Sequence, residues 1–160
     1  MTAAVRAPVL LRAPQLVLLV ALLVVGVLAP ARTPAAGSNL VVAGAWIRQP
    51  PPGSDVAAAY LSLLNAGTET VTLTGAECPL AAMVMMHETV AVDGQSRMRA
   101  LTAVPLAPGA GIAFTPGGRH IMLHGLAHPL QVGERVPLVL LFSGGIKLHV
   151  VALVRPLSAG

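Results

Sequence analysis

Four side chains carry the chemistry this sequence offers: His87, then Met98 after ten intervening residues, then His120 and Met122 after twenty-one more. Two imidazoles and two thioethers make a soft, uncharged donor set. Thioether sulfur is a poor ligand for zinc, calcium or magnesium, whereas Cu(I) accepts it readily beside neutral imidazole. Methionine also suits an oxidising compartment, because thioethers cannot cross-link as a pair of thiolates would. A lone methionine usually fills a core and a lone histidine usually meets ordinary partners, so the weight rests on the four together.

Strands must position these donors. On a strand, alternate residues share a face, so His120 and Met122 are expected to point the same way with Cα atoms about 6.6 Å apart. The turn signal Pro116-Gly117-Gly118 would bring His120 to the rim of a sheet. His87 ends the run Met83 to His87, Asp93-Gly94 supplies a turn, and Met98 opens the run Met98 to Leu101. His87 and Met98 are therefore expected to face each other across a hairpin. Further apolar runs lie at Leu40-Val41-Val42, Ala45-Trp46-Ile47, Ala57 to Leu64, Thr70 to Thr74, Ile112 to Thr115, His120 to Leu123, Val136 to Phe142 and Leu148 to Val154. Between them stand Gln49 to Ser54, Asn65-Ala66-Gly67, Pro108-Gly109, Gly133 and Gly144-Gly145. Short strands separated by frequent turn signals predict an all-β sandwich or barrel.

The chain has 160 residues, enough for one domain that buries its own core. Its composition, 55% hydrophobic and 10% charged, would suit a membrane protein if the apolar residues were evenly spread. Much of the excess is at the start. Arg6 and Arg12 precede the apolar run Leu16 to Ala29, which Pro30 stops. That run falls short of the roughly 20 residues a membrane span needs, so residues 1–36 are expected to be a cleaved export signal with a short linker. Residues 37–160 form the expected domain. No cysteine follows the apolar run closely, so a lipoprotein anchor is expected to be excluded. Without Arg6, Arg12 and Arg32 the ten Lys/Arg fall to seven against six acids, leaving no basic stripe for nucleic acid. Cys78 is the one cysteine, so no internal disulfide forms and the thiol is expected to be a small buried hydrophobe.

The pattern at His87, Met98, His120 and Met122 resembles that of the periplasmic copper chaperone family often called PCuAC. Similar segments run from about Leu40 to Arg155: Ala45-Trp46-Ile47-Arg48, Ala59-Tyr60-Leu61, Asn65-Ala66-Gly67, Pro116 to Leu123, Gly125-Leu126, and Val136-Pro137-Leu138 on to Phe142. The resemblance implies a cupredoxin-like β-sandwich, exported to the periplasm or another extracytoplasmic space. It implies one Cu(I), delivered to a copper-accepting protein such as a respiratory oxidase subunit. The expected protein is a monomer without enzyme activity, and meets a membrane only through its acceptor or an uncleaved signal.

Some residues depart from that family's pattern. Met83, Met85 and Met86 crowd the approach to His87, with core packing as their expected role and Met86 a candidate auxiliary ligand. His124 stands where relatives often carry another methionine; on one strand with His120 and Met122 it would share their face and could serve as an auxiliary or entry ligand. The His/Met-rich tail that some relatives use for a second copper is not found after Arg155, whence the expectation of one copper.

Rival classes fit less well. A blue-copper carrier needs a histidine well upstream of its cysteine, and none precedes Cys78. A zinc hydrolase would need His120 and His124 on a helix, and His87-Glu88 lacks the second histidine of HExxH. A thiol-disulfide reductase needs Cys-x-x-Cys. Copper storage and a metal-free interaction sandwich remain the alternatives.

Overall fold

Strand β2, Ala57–Asn65, shows how the sequence chooses its faces: Ala57, Ala59, Leu61, Leu63 and Asn65 are buried, while Ser62 and Leu64 between them are exposed. The same alternation runs through the rest of the computed structural model, which describes residues 39–158. The expected signal segment lies outside the described residues. The other strands are β1 (Leu40–Arg48), β3 (Val71–Glu77), β4 (Ala81–Val92), β5 (Gln95–Leu101), β6 (Val104–Leu106), β7 (Gly111–Phe114), β8 (Arg119–Leu126), β9 (Arg135–Phe142) and β10 (Lys147–Arg155). No α-helix occurs among the described residues. The fold is the all-β sandwich that the turn signals predicted.

Hydrogen bonding follows one path, β5-β4-β8-β2-β1-β10-β9-β3-β6, with β7 beside the second half of β2. All these pairs are antiparallel except β1 with β10. The path folds over so that inward side chains from its two halves meet in one core. Ile47, Ile121 and Leu123 from one half and Leu73, Leu106 and Leu140 from the other are fully enclosed there. Cys78 joins them, and burial pushes its thiol pKa up. That is the structural role expected of it.

Two local devices aim residues toward the site. Asp93 and Gly94, with φ of 53° and 75°, close a two-residue hairpin that joins β4 to β5. Positive φ at both positions is what the tight hairpin needs, and Asp-Gly supplies it at little cost. In β1 the register to β2 shifts by one residue between Ala43 and Trp46, where Gly44 has φ of 62°. This bulge reverses which side chains face outward, so that Ile47 enters the core while Trp46 and Arg48 take the outer face.

Among the described residues, Asn65 is the one fully buried side-chain amide, only 1% exposed. Its Nδ2 donates to the carbonyls of Glu69 (2.8 Å), Leu106 (3.0 Å) and Ala107 (3.3 Å), and its Oδ1 accepts from the Gly67 amide (3.0 Å). One side chain therefore closes the Asn65-Ala66-Gly67 turn and holds β6 beside it. Asn65→Asp removes the donors and sets a carboxylate against carbonyl oxygens, so stability should fall by about 2–4 kcal/mol. Urea unfolding checks this: an unchanged midpoint would mean that these bonds contribute nothing net.

The strands differ from expectation in length. β4 runs for twelve residues, so His87 lies in mid-strand and not at a strand end. β6 was not legible as a strand because Pro105 interrupts it. It is an edge strand, paired only with β3, where a missing amide does no harm.

Candidate metal centre

Strands β5, β4 and β8 lie side by side, and their register decides which side chains meet. Across β4 and β8, His87 is opposite His120, Met85 opposite Met122, and Met83 opposite His124. Directly opposed residues of antiparallel strands share a face, with Cβ atoms about 5 Å apart. On β5, Met98 is opposite Thr89, and Ala100 is opposite His87. Met98 thus shares the face of His87 but is displaced by one step along the strand, a correction to the direct facing expected across the hairpin. The shared face points away from the core, since Met86, Ile121 and Leu123 point inward. The structure therefore brings His87, Met98, His120 and Met122 onto one outer surface of three adjacent strands.

The two histidines are prepared differently. His120 Nδ1 lies 3.0 Å from the Gly118 carbonyl oxygen. A carbonyl can only accept, so Nδ1 carries the proton and Nε2 presents a lone pair, the tautomer a metal takes. The Gly118 carbonyl also accepts the Thr89 amide at 3.2 Å, which fixes the turn against β4. The Pro116-Gly117-Gly118 turn thus fixes the orientation of the His120 ring through the Gly118 carbonyl. His120 itself is 7% exposed, buried beneath its neighbours and not at an open rim. His87 Nδ1 is also buried, with no hydrogen-bond partner. Its ring stands 5.8 Å from that of His120 and tilted by 52°. Burial lowers the His87 pKa, and the neighbouring His120 and His124 lower it further. A half-buried imidazole with a lowered pKa and an unsatisfied ring nitrogen, beside a second oriented imidazole, fits a metal cation better than a proton.

Behind this row, on the other face of β4, Glu88 takes Arg99 from β5 at 2.7 Å and Arg119 from β8 at 3.1 Å. Its carboxyl is held below the usual range chiefly by the hydrogen bond from Arg99, with Arg119 adding to the effect. The triad ties strands β5, β4 and β8 together at the level of His87 and His120.

Met86 corrects the expectation of an auxiliary ligand. It is 4% exposed, faces Ile121 and belongs to the core. Core packing was expected of Met83 and Met85 as well, but the parity of β4 puts both on the outer face with His87, Met83 being 51% exposed. Once the strand is fixed by His87, odd numbers face out and even numbers face in. Met86→Leu should accordingly leave metal affinity unchanged while altering stability by less than about 1.5 kcal/mol. A weakened site in that variant would return Met86 to the ligand set.

Beyond Met122 the same outer face carries Ala58, opposite Met122 on one side and Arg48 on the other. Trp46 and Tyr60 stack there at 4.6 Å, with Arg48 5.6 Å from the Tyr60 ring and Arg155 5.2 Å from the Trp46 ring. This aromatic and cationic wall escaped the sequence because only the β1 bulge turns Trp46 outward. Among the described residues, no group of three or more His, Cys, Asp or Glu side chains is placed to hold a metal. The side chains that share the outer face with the row His87–His120 include the thioethers of Met85, Met98 and Met122.

The fold defines the class: a PCuAC-like β-sandwich. The copper-bound PCuAC domain from PmoF2 superimposes with a TM-score of 0.63 at 21% identity, covering 76% of this chain and 97% of that domain. DR1885 from Deinococcus radiodurans, solved in solution in its CuI form, is 34% identical, with a TM-score of 0.54 over 72% of this chain and 76% of that one. Residues 40–154 match the family described as "Putative lipoprotein LpqE-like", and the chain belongs to that family. A Leifsonia xyli subsp. xyli protein named "Putative lipoprotein Lxx21020" is 34% identical over 132 residues, 81% of this chain and 78% of that protein. With these lipoprotein relatives the chain is an exported, extracytoplasmic protein. Cys78 offers no attachment point for a lipid, being enclosed in the core.

Proposed function

We propose that this protein is an extracytoplasmic copper chaperone that binds one Cu(I) through His87, Met98, His120 and Met122 and passes it to an acceptor, the copper site of a respiratory oxidase being the expected one. The observation that carries this is the register of β5, β4 and β8, which sets two imidazoles and two thioethers on one outward face. The chemistry supports Cu(I) as cargo. All four donors are neutral and two are soft, a set that holds a monovalent soft cation and has little to offer a hard divalent one. The copper structures of PmoF2 and DR1885 named above add support from related folds.

Release matters as much as capture. Met98 is 64% exposed and stands on β5, the edge strand of the path. The metal would leave by exchanging this outermost thioether for an incoming ligand while the two histidines still hold it. No electron moves, since Cu(I) is bound and released as Cu(I). An acceptor with two cysteine thiolates offers anionic sulfur, and copper should pass to it downhill. An exposed ligand on an edge strand favours delivery over storage, which would be served better by an enclosed site.

The test mixes copper-loaded protein with an apo dicysteine acceptor domain from an oxidase and follows copper by mass. Movement of copper to the acceptor is the expected result. Retention of copper with the acceptor present would turn the proposal toward storage.

A further inference from the structure

Resting on the Cu(I) binding proposed above, we propose that Met83, Met85 and His124 form a second, weaker soft-metal position next to the first on the same face. The β4–β8 register places Met83 directly opposite His124 and Met85 opposite Met122. The ladder therefore does not stop at the four residues of the first site. It runs on by one further pair of donors, about 7 Å beyond.

Three observations mark these residues as more than filler. His124 Nε2 is fully buried and has no hydrogen-bond partner. An imidazole nitrogen withdrawn from water with nothing to bond is costly, and a coordinated cation satisfies it. Met83 is 51% exposed although it lies on an inner strand of the path, so it is not packing a core. Finally, the pairing of β5 with β4 ends at Met86 and Leu101. The first position is flanked by Met98 of β5, whereas at Met83 and Met85 the side of β4 toward β5 has no paired strand. The second position thus lies beyond the end of the β4–β5 ladder.

Its donors are two thioethers and one imidazole, again neutral and soft, which selects Cu(I) or Ag(I) over zinc. It has one donor fewer than the first, and a cation there feels the charge of the first across about 7 Å, so it should bind at least about tenfold more weakly. A weaker position beside a tighter one suits a loading step. Metal captured at Met83 and His124 can pass along the ladder through Met85 and Met122 when the first position is empty.

Ag(I), which undergoes no redox change, is the probe, added to the full chain with Met side chains carrying 13C methyl groups. The first equivalent should shift the methyl signals of Met98 and Met122. Further Ag(I) should shift those of Met83 and Met85, leave core Met86 in place, and give two metals per chain by native mass spectrometry. The double variant Met83→Leu, His124→Asn should hold one metal with the first affinity unchanged. One metal per chain at tenfold excess would overturn the second position while sparing the first. A second metal kept by the double variant would also overturn it, placing that metal elsewhere. No metal bound at all would overturn the copper proposal itself, and this inference with it.

Discussion

Replacing Met122 by Ala is expected to weaken Cu(I) binding by about a hundredfold or more while leaving the fold intact. The magnitude follows from sharing: four-ligand metal sites bind with roughly 10–16 kcal/mol, so each ligand accounts for about 3 kcal/mol, or two orders of magnitude. The fold should survive because Met122 points outward, opposite Ala58 and Met85, while its neighbours Ile121 and Leu123 make the core. Competition against a Cu(I) chelator measures the affinity, and the urea midpoint reports the fold. A variant that binds as tightly as the parent would remove Met122 from the site and point to Met85, across the ladder, as the sulfur donor.

Acid should release the metal. Imidazole ligates only when neutral, so affinity is expected to be level above about pH 7 and to fall as pH drops through the ordinary histidine range near 6.5. Thioethers do not titrate, which limits the uptake to two protons per copper and the slope to two decades of affinity per pH unit. The lowered pKa of His87, caused first by burial, means that its own share of the loss sets in below that range. The same shift acts on the metal-free fold. A group whose folded pKa lies below its unfolded one contributes stability that is present above the unfolded value and is lost as pH falls through the folded one. His87 therefore stabilises at pH 7 and not in acid. The lowered carboxyl of Glu88 acts with the same sign, its contribution being lost further down, below the ordinary carboxylate range. Chelator competition between pH 5 and 7.5 checks the binding, and thermal unfolding over the same window checks the fold. A flat affinity profile would show that the histidines are not ligands.

Much of this was open to view in the sequence, for definite reasons. Turn chemistry is local, so Asp93-Gly94, Asn65-Ala66-Gly67 and Pro116-Gly117-Gly118 announced their turns, and the alternation in Ala57 to Leu64 and Leu148 to Val154 announced strands. Register is not local. That Met98 falls opposite Thr89 and not His87 depends on how tightly the Asp93-Gly94 hairpin closes. That Met85 and Met83 share the outer face with His87 while Met86 turns inward depends on the parity of a twelve-residue strand, of which the sequence displays only the run Met83 to His87. The outward turn of Trp46 hangs on one extra residue in β1. His120 could be singled out by its type, but the carbonyl that sets its tautomer comes from Gly118, a residue whose side chain says nothing.

The central claim is that Cu(I) sits among His87, Met98, His120 and Met122, and X-ray absorption at the copper edge of protein loaded with one equivalent of Cu(I) tests it most directly. Two nitrogen and two sulfur neighbours are expected, with one sulfur lost in Met122→Ala. A copper surrounded by nitrogen and oxygen alone, or a parent spectrum unchanged by that substitution, would contradict it.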